Sequence, residues 1–145
     1  MEKLTRIELT PDSISQITNI ICTLFENDSQ DYYTTLERFL SDNTIDREYY
    51  FYEQDDQKVG FVCVHKWHPI PKPDKTDRLY WHIADFHIFR EFRSDGLGTR
   101  FLNSLISLAQ TNNVEKIIVF AGGKYGDFMQ KHGFKQESNI LLIHP

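Results

Sequence analysis

The chain has 145 residues, 40% of them apolar and 26% charged, enough to bury one core and too much for an intrinsically disordered chain. Its formal net charge of −5 argues against a nucleic-acid partner, because basic stripes supply most of the affinity for a phosphate backbone. No run of about 18 apolar residues occurs and the start, Met1 to Arg6, carries mixed charges, so the sequence predicts no membrane partner, no secretion and a cytoplasmic location.

One domain over residues 1–145 is expected at this length. Leu4 to Leu9 alternates polar and apolar residues and predicts a first strand, and Thr10-Pro11-Asp12 has the chemistry of a helix start. Ile14, Ile17, Ile20, Ile21, Leu24 and Phe25 follow at the spacing of one helical face, which predicts a helix over roughly Asp12 to Glu26. A shorter helix over Asp31 to Ser41 comes next, carrying Tyr32, Leu36, Phe39 and Leu40.

Two aromatic and β-branched runs, Tyr49 to Tyr52 and Val59 to Val64, flank the polar turn Asp55 to Lys58 and predict a hairpin. The prolines between His68 and Asp74 cannot continue a ladder, so a loop precedes the next strand, Leu79 to Phe89. Then come a helix from Gly98 to Thr111, a strand from Lys116 to Ala121, a helix from Tyr125 to His132 stopped by Gly133, and a closing strand from Asn139 to His144. The order β-α-α-β-β-β-α-β-α-β predicts an α/β fold, a single mixed central sheet with helices on both faces. Cys22 and Cys63 stand isolated in apolar stretches, which suits reduced thiols better than a disulfide or a metal site.

The most informative stretch runs from Ile88 through Arg93-Ser94-Asp95-Gly96-Leu97-Gly98 to Phe101, where a strand ends, two glycines pass and a helix begins. Helix starts offer orphan N–H groups and partial positive charge, and glycines let a phosphate approach them. The dinucleotide and Walker fingerprints are not met: Phe101 stands where the first needs glycine, and no lysine follows the last glycine.

Arg93-Ser94-Asp95-Gly96-Leu97-Gly98 resembles the R/Q-x-x-G-x-G/A motif of the GNAT superfamily of acyl-CoA-dependent N-acetyltransferases. Asp85 to Ile88 resembles the family's strand entering that loop, and Phe128-Met129-Gln130-Lys131-His132-Gly133-Phe134 resembles its later helix. The resemblance implies direct transfer of acetyl from acetyl-CoA to a primary amine, with no metal. It implies that the backbone of Ser94, Asp95, Gly96, Leu97, Gly98 and Thr99 holds the pyrophosphate with Arg93 in the motif, and that backbone groups of Phe86, His87 and Ile88 pair with the pantetheine arm. One of those N–H groups would donate to the thioester oxygen as charge grows there.

Met129 stands where many relatives keep a tyrosine acid, and Tyr125, one turn earlier, is a displaced substitute. His82 matches one position that relatives use for a general base and suits the work, since an unperturbed imidazole titrates near 6.5. Ala84 matches another such position and cannot serve. Asp85 and His87 rank second as bases, because a regular strand points them away from the face of His82 unless a bulge intervenes. His65 and His68 have metal-pair spacing but no third ligand nearby in sequence.

Residues 1–80 hold 9 basic against 15 acidic side chains, residues 81–145 hold 7 against 6. That asymmetry hints at a cationic amine acceptor, a small molecule or a peptide, steered by Glu26, Asp28 and Asp31, although an ordinary solvated surface explains it too. Tyr32, Tyr33 and Trp67 read as packing or surface rather than an aromatic cage. A monomer or a homodimer fits the composition. The alternative reading is a non-catalytic acyl-CoA-binding or regulatory module on the same fold.

Overall fold

The structure, a computed structural model, describes residues 1–93, 96–120, 123–137 and 140–145. They form two compact units, Ile7–Asp46 and the pair of segments Met1–Arg6 with Arg47–Pro145.

The smaller unit is two helices. α1 (Pro11–Leu24) starts as the sequence predicts, with Thr10 as N-cap, Pro11 in the first turn and a reciprocal capping box between Thr10 and Ser13. Ser13 also donates to the Glu8 carbonyl at 2.5 Å, which engages residues 7–9 in the helix entry rather than in a strand. α2 (Gln30–Ser41) is capped by Ser29, and the Ser15 and Tyr33 hydroxyls, 2.8 Å apart, tie the two helices together. Glu26, Asp28 and Asp31 are exposed at their connection.

The larger unit is a seven-stranded sheet, made of β1 (Glu2–Arg6), β2 (Arg47–Gln54), β3 (Gln57–Trp67), β4 (Tyr80–Ile88), β5 (Lys116–Phe120), β6 (Lys135–Glu137) and β7 (Ile140–Ile143). The spatial order is β1-β2-β3-β4-β5-β7-β6, and every pairing is antiparallel except β4 with β5. That exception follows from the connection: α3 (Leu97–Thr111) carries the chain from β4 back to the start of β5, as parallel neighbours require. α4 (Gly123–Lys131) joins β5 to the last two strands. The fold is α/β with one mixed sheet, as the sequence predicts.

Leu97, Phe101, Leu102, Leu105 and Ala109 form the buried stripe of α3 and join Tyr52, Val62, Val64, Trp81, Ile83 and Ile117 in one core, to which α4 adds Met129. Each such large side chain contributes on the order of 1.5–3 kcal/mol by leaving water. Phe101 is stacked between Tyr52 and Phe86, with ring centroids 4.7 and 4.4 Å away, which seats the start of α3 against β4.

The structure departs from the sequence reading in three places. The first strand is Glu2–Arg6 rather than Leu4 to Leu9, because its ladder with β2 ends at Arg6 and Tyr50. The hairpin turn is the two residues Asp55 and Asp56, both at positive φ (49° and 65°), the geometry that matches strand twist. A short strand, β6, follows the turn at Gly133 and is too polar, Lys-Gln-Glu, to show an apolar pattern. The expected strand ends at Ala121 and Asn139 lie outside the described residues. Among the described residues no helix is long and apolar enough to cross a membrane.

Candidate active site

Among the described residues β4 and β5 pair at Tyr80 with Lys116, Trp81 with Ile117 and His82 with Ile118. Below that point they are clamped: Arg78 donates to Glu115 through Nε at 3.1 Å, and the Glu115 amide donates to the Leu79 carbonyl at 2.8 Å. Beyond His82 they part, since β4 runs on to Ile88 with β3 on its other edge while β5 pairs with β7. Among the described residues no ladder continues on the β5 side of Ile83 to Ile88. A strand edge left this way offers N–H and C=O groups to an extended ligand.

One irregularity decides which side chains face this opening. Val64 pairs with Ile83 and Cys63 with Asp85, so Ala84 is an extra residue, a β-bulge. Pairing puts His65 and His82 on one face, and the bulge returns Asp85, opposite Cys63, and His87, opposite Phe61, to that same face. Three candidates that a regular strand separates are thereby brought together. Phe86 points the other way, its ring stacked on Phe101 and 6.1 Å from Phe128 of α4.

His82 is 8% exposed. Its ring lies 5.6 Å from His65, 5.4 Å from Trp67 and 4.7 Å from Phe120, centroid to centroid. Burial holds its pKa below the ordinary imidazole value, His65 lowers it further, and Asp85 opposes both. The same forces act on His65, where burial dominates and the Arg47 cation adds to it. Trp67 and Phe120 remain 42% and 56% exposed, so aromatic rings flank the imidazole. His87 Nε2 lies 3.8 Å from Asp85 Oδ1. Burial and Asp85 push the neighbouring Cys63 thiol up to about 12, which makes it an inert packing group.

At the other end of the opening, β4 leads through one turn of 3-10 helix, Arg90–Phe92, to α3. Arg93 folds back, its Nε donating to the Ile88 carbonyl at 3.1 Å, and so braces the loop. Ser94 and Asp95, both expected at the pyrophosphate, lie outside the described residues. Gly96 is the N-cap at φ 80°, a conformation that disfavours any side chain. The first intrahelical bond is Arg100 N–H to the Gly96 carbonyl, which leaves the N–H groups of Leu97, Gly98 and Thr99 without an intrahelical acceptor. A Cβ on Gly98 would meet nothing closer than Phe128 Cζ at 3.6 Å, an ordinary contact. Folding therefore does not require a glycine there, and the position accepts nothing larger than alanine in the motif, which keeps the helix start open to a ligand.

α4 supplies the last candidate. Met129 is fully buried in the core, a packing residue. Tyr125, one turn earlier, has a buried hydroxyl with no hydrogen-bond partner among the described residues, and burial followed by the Asp85 charge raises its pKa well above the ordinary phenol. Among the described residues no group of three or more His, Cys, Asp or Glu could hold a metal ion.

A model of the acetyltransferase (GNAT) family matches residues 14–134. The chain belongs to that family. It is an acyltransferase of the GNAT type. Solved structures of the GNAT fold align along nearly its whole length. The ribosomal-protein-alanine N-acetyltransferase of Brucella melitensis biovar Abortus 2308 is 14% identical, with a TM-score of 0.67 over 95% of this chain and 94% of that one. A predicted acetyltransferase of Clostridium acetobutylicum, solved with acetyl-CoA, is 17% identical, with a TM-score of 0.64 over 95% and 92%. A GNAT family acetyltransferase of Elizabethkingia anophelis with acetyl-CoA bound is 13% identical, with a TM-score of 0.60 over 99% and 98%. No curated protein sequence matches the chain significantly.

In the sequence Phe120 carries no functional signal, His65 shows only metal-pair spacing with His68, and Trp67 reads as packing or surface. Their shared environment around His82 arises from three different strands, and no spacing along the chain reports it.

Proposed function

We propose that the chain, acting as one domain in the cytoplasm, transfers the acetyl group of acetyl-CoA directly to a primary amine of a small molecule or peptide. The observation that carries this is the parting of β4 from β5 after His82, with a glycine-capped helix start at its far end. Pyrophosphate rests on the N–H groups of Gly96 to Thr99, with Ser94 and Asp95 contributing theirs. The pantetheine arm runs along the free edge of β4 at Phe86 to Ile88, and a backbone N–H there receives the charge that builds on the thioester oxygen.

The amine reaches the thioester between Trp67 and Phe120, on the face that carries His82. His82, kept neutral by its surroundings, removes the ammonium proton so that the nitrogen lone pair can attack the thioester carbon. Asp85 steadies the resulting imidazolium from the same face. The C–S bond breaks, the electrons leave on sulfur, which takes up the second proton shed by the attacking nitrogen, and the Tyr125 hydroxyl donates a hydrogen bond to the departing sulfur. A phenol so hard to ionise acts as donor rather than as full proton source, and a thiol of pKa about 8.5 needs no more near neutral pH.

A panel of primary amines, monovalent and polyvalent, incubated with acetyl-CoA and the protein tests this reading by release of free thiol. Amine-dependent release supports transfer. Acetyl-CoA binding without release by any amine favours the acyl-CoA-binding module instead.

A further inference from the structure

His132 follows directly on α4 and reaches the first turn of α3. Its Nδ1 is 2.8 Å from the Phe128 carbonyl oxygen, which can only accept, so Nδ1 carries a proton. Its Nε2 is 3.1 Å from Thr99 Oγ1. In the neutral imidazole Nε2 can only accept, so Thr99 gives its single hydroxyl proton to the histidine and has only lone pairs for anything else at the helix start.

Protonation of Nε2 reverses that bond. The imidazolium donates to Thr99 Oγ1 and frees the Thr99 proton to point elsewhere. The Phe128 carbonyl goes on accepting from Nδ1, and the Phe128 ring, 4.5 Å from the imidazole, attracts a cation. Thr99 is the third residue of α3, among the three whose N–H groups have no intrahelical acceptor.

We propose that His132 and Thr99 form a proton-linked clamp on the cofactor. Pyrophosphate arriving at the start of α3 draws one proton from solvent onto His132 Nε2, and Thr99 turns its hydroxyl proton onto a phosphate oxygen. This inference rests on the cofactor reading above. It makes His132 a positioning residue that acts through Thr99.

Among the described residues, the other charged groups on the elements around this pair are paired or exposed. On α3, Arg100 is held by Glu2, with Nε 2.9 Å from Oε1. On α4, Asp127 and Lys131 are exposed, as are Lys135 and Glu137 on β6, and β7 contributes no titratable side chain. Thr99 and His132 are only partly buried, so a proton can be exchanged with water.

Calorimetric titration of the full chain with CoA at pH 7, in two buffers of different ionisation enthalpy, reads the protons taken up on binding. The wild type should take up a larger fraction of a proton than His132→Gln or Thr99→Val, and its affinity should fall with rising pH by up to about tenfold per unit, the limit for one linked proton. CoA brings its own titrating phosphate and adenine to every protein alike, so the difference between proteins belongs to the pair. Binding with equal proton uptake in wild type and variants overturns the clamp and leaves the cofactor reading standing. No binding to the wild type overturns both. If a variant fails to fold, the imidazole NMR titration of His132 in the wild type replaces it: a move to higher pH on adding CoA supports the clamp, and an unmoved titration overturns it.

Discussion

His82 and Asp85 stand on one face of β4 although three positions separate them, because the bulge at Ala84 restores the face that alternation would have lost. This places a neutral imidazole and a carboxylate beside the same opening. Since burial and His65 hold the His82 pKa down, the acidic limb of kcat/KM should fall below the ordinary imidazole range near 6.5. His82→Gln should lower kcat by about 10²-fold or more and abolish that limb, with CoA affinity unchanged. A pH profile identical to the wild type would reduce His82 to a structural group.

The same two histidines affect stability. A group whose folded pKa is depressed binds fewer protons in the native state than in the unfolded one, so stability is full above the unfolded value and is lost as pH falls below it. His65 and His82 therefore destabilise the fold as pH drops through about 6.5. The decline in Tm between pH 7 and 5 should be shallower in His65→Gln and His82→Gln than in the wild type. Parallel declines would mean that neither imidazole resists protonation in the native state.

Tyr125→Phe separates stability from catalysis. Its hydroxyl is buried without a partner among the described residues, so its removal should leave the free protein unchanged or more stable by about 1 kcal/mol. The variant should nevertheless lose activity, about tenfold in kcat, if the hydroxyl serves the departing thiolate. Full activity would exclude that role.

Trp67 and Phe120 touch the His82 ring from opposite neighbouring strands and stay exposed. Trp67→Ala should raise the KM for the amine severalfold and leave the affinity for acetyl-CoA alone. An effect confined to acetyl-CoA would place the acceptor elsewhere.

Much of this arrangement is legible in the chain. Thr10-Pro11 marks a helix start, the aromatic runs on either side of Asp55 mark a hairpin, and Gly96 and Gly98 mark the helix start after β4, because each depends on local backbone chemistry. The Ala84 bulge is not legible: it is a mismatch between two strands, and neither sequence alone records it. The grouping of His65, Trp67 and Phe120 around His82 is hidden for the same reason, since cross-strand neighbours are set by register. The polar β6 escapes because it buries no face that a pattern could reveal.

Thermal unfolding of the wild type and Gly98→Val, each with and without acetyl-CoA and with NADH as control, tests the cofactor cradle most directly. Ligand at about 100 times Kd adds roughly 2.7 kcal/mol, or about 6 to 10 °C for a domain of this size. The account predicts that shift for the wild type with acetyl-CoA alone, and its loss in a folded Gly98→Val, whose β-branched side chain obstructs ligand approach to the helix start. No shift for the wild type at millimolar acetyl-CoA, or an equal shift in a folded Gly98→Val, would contradict it.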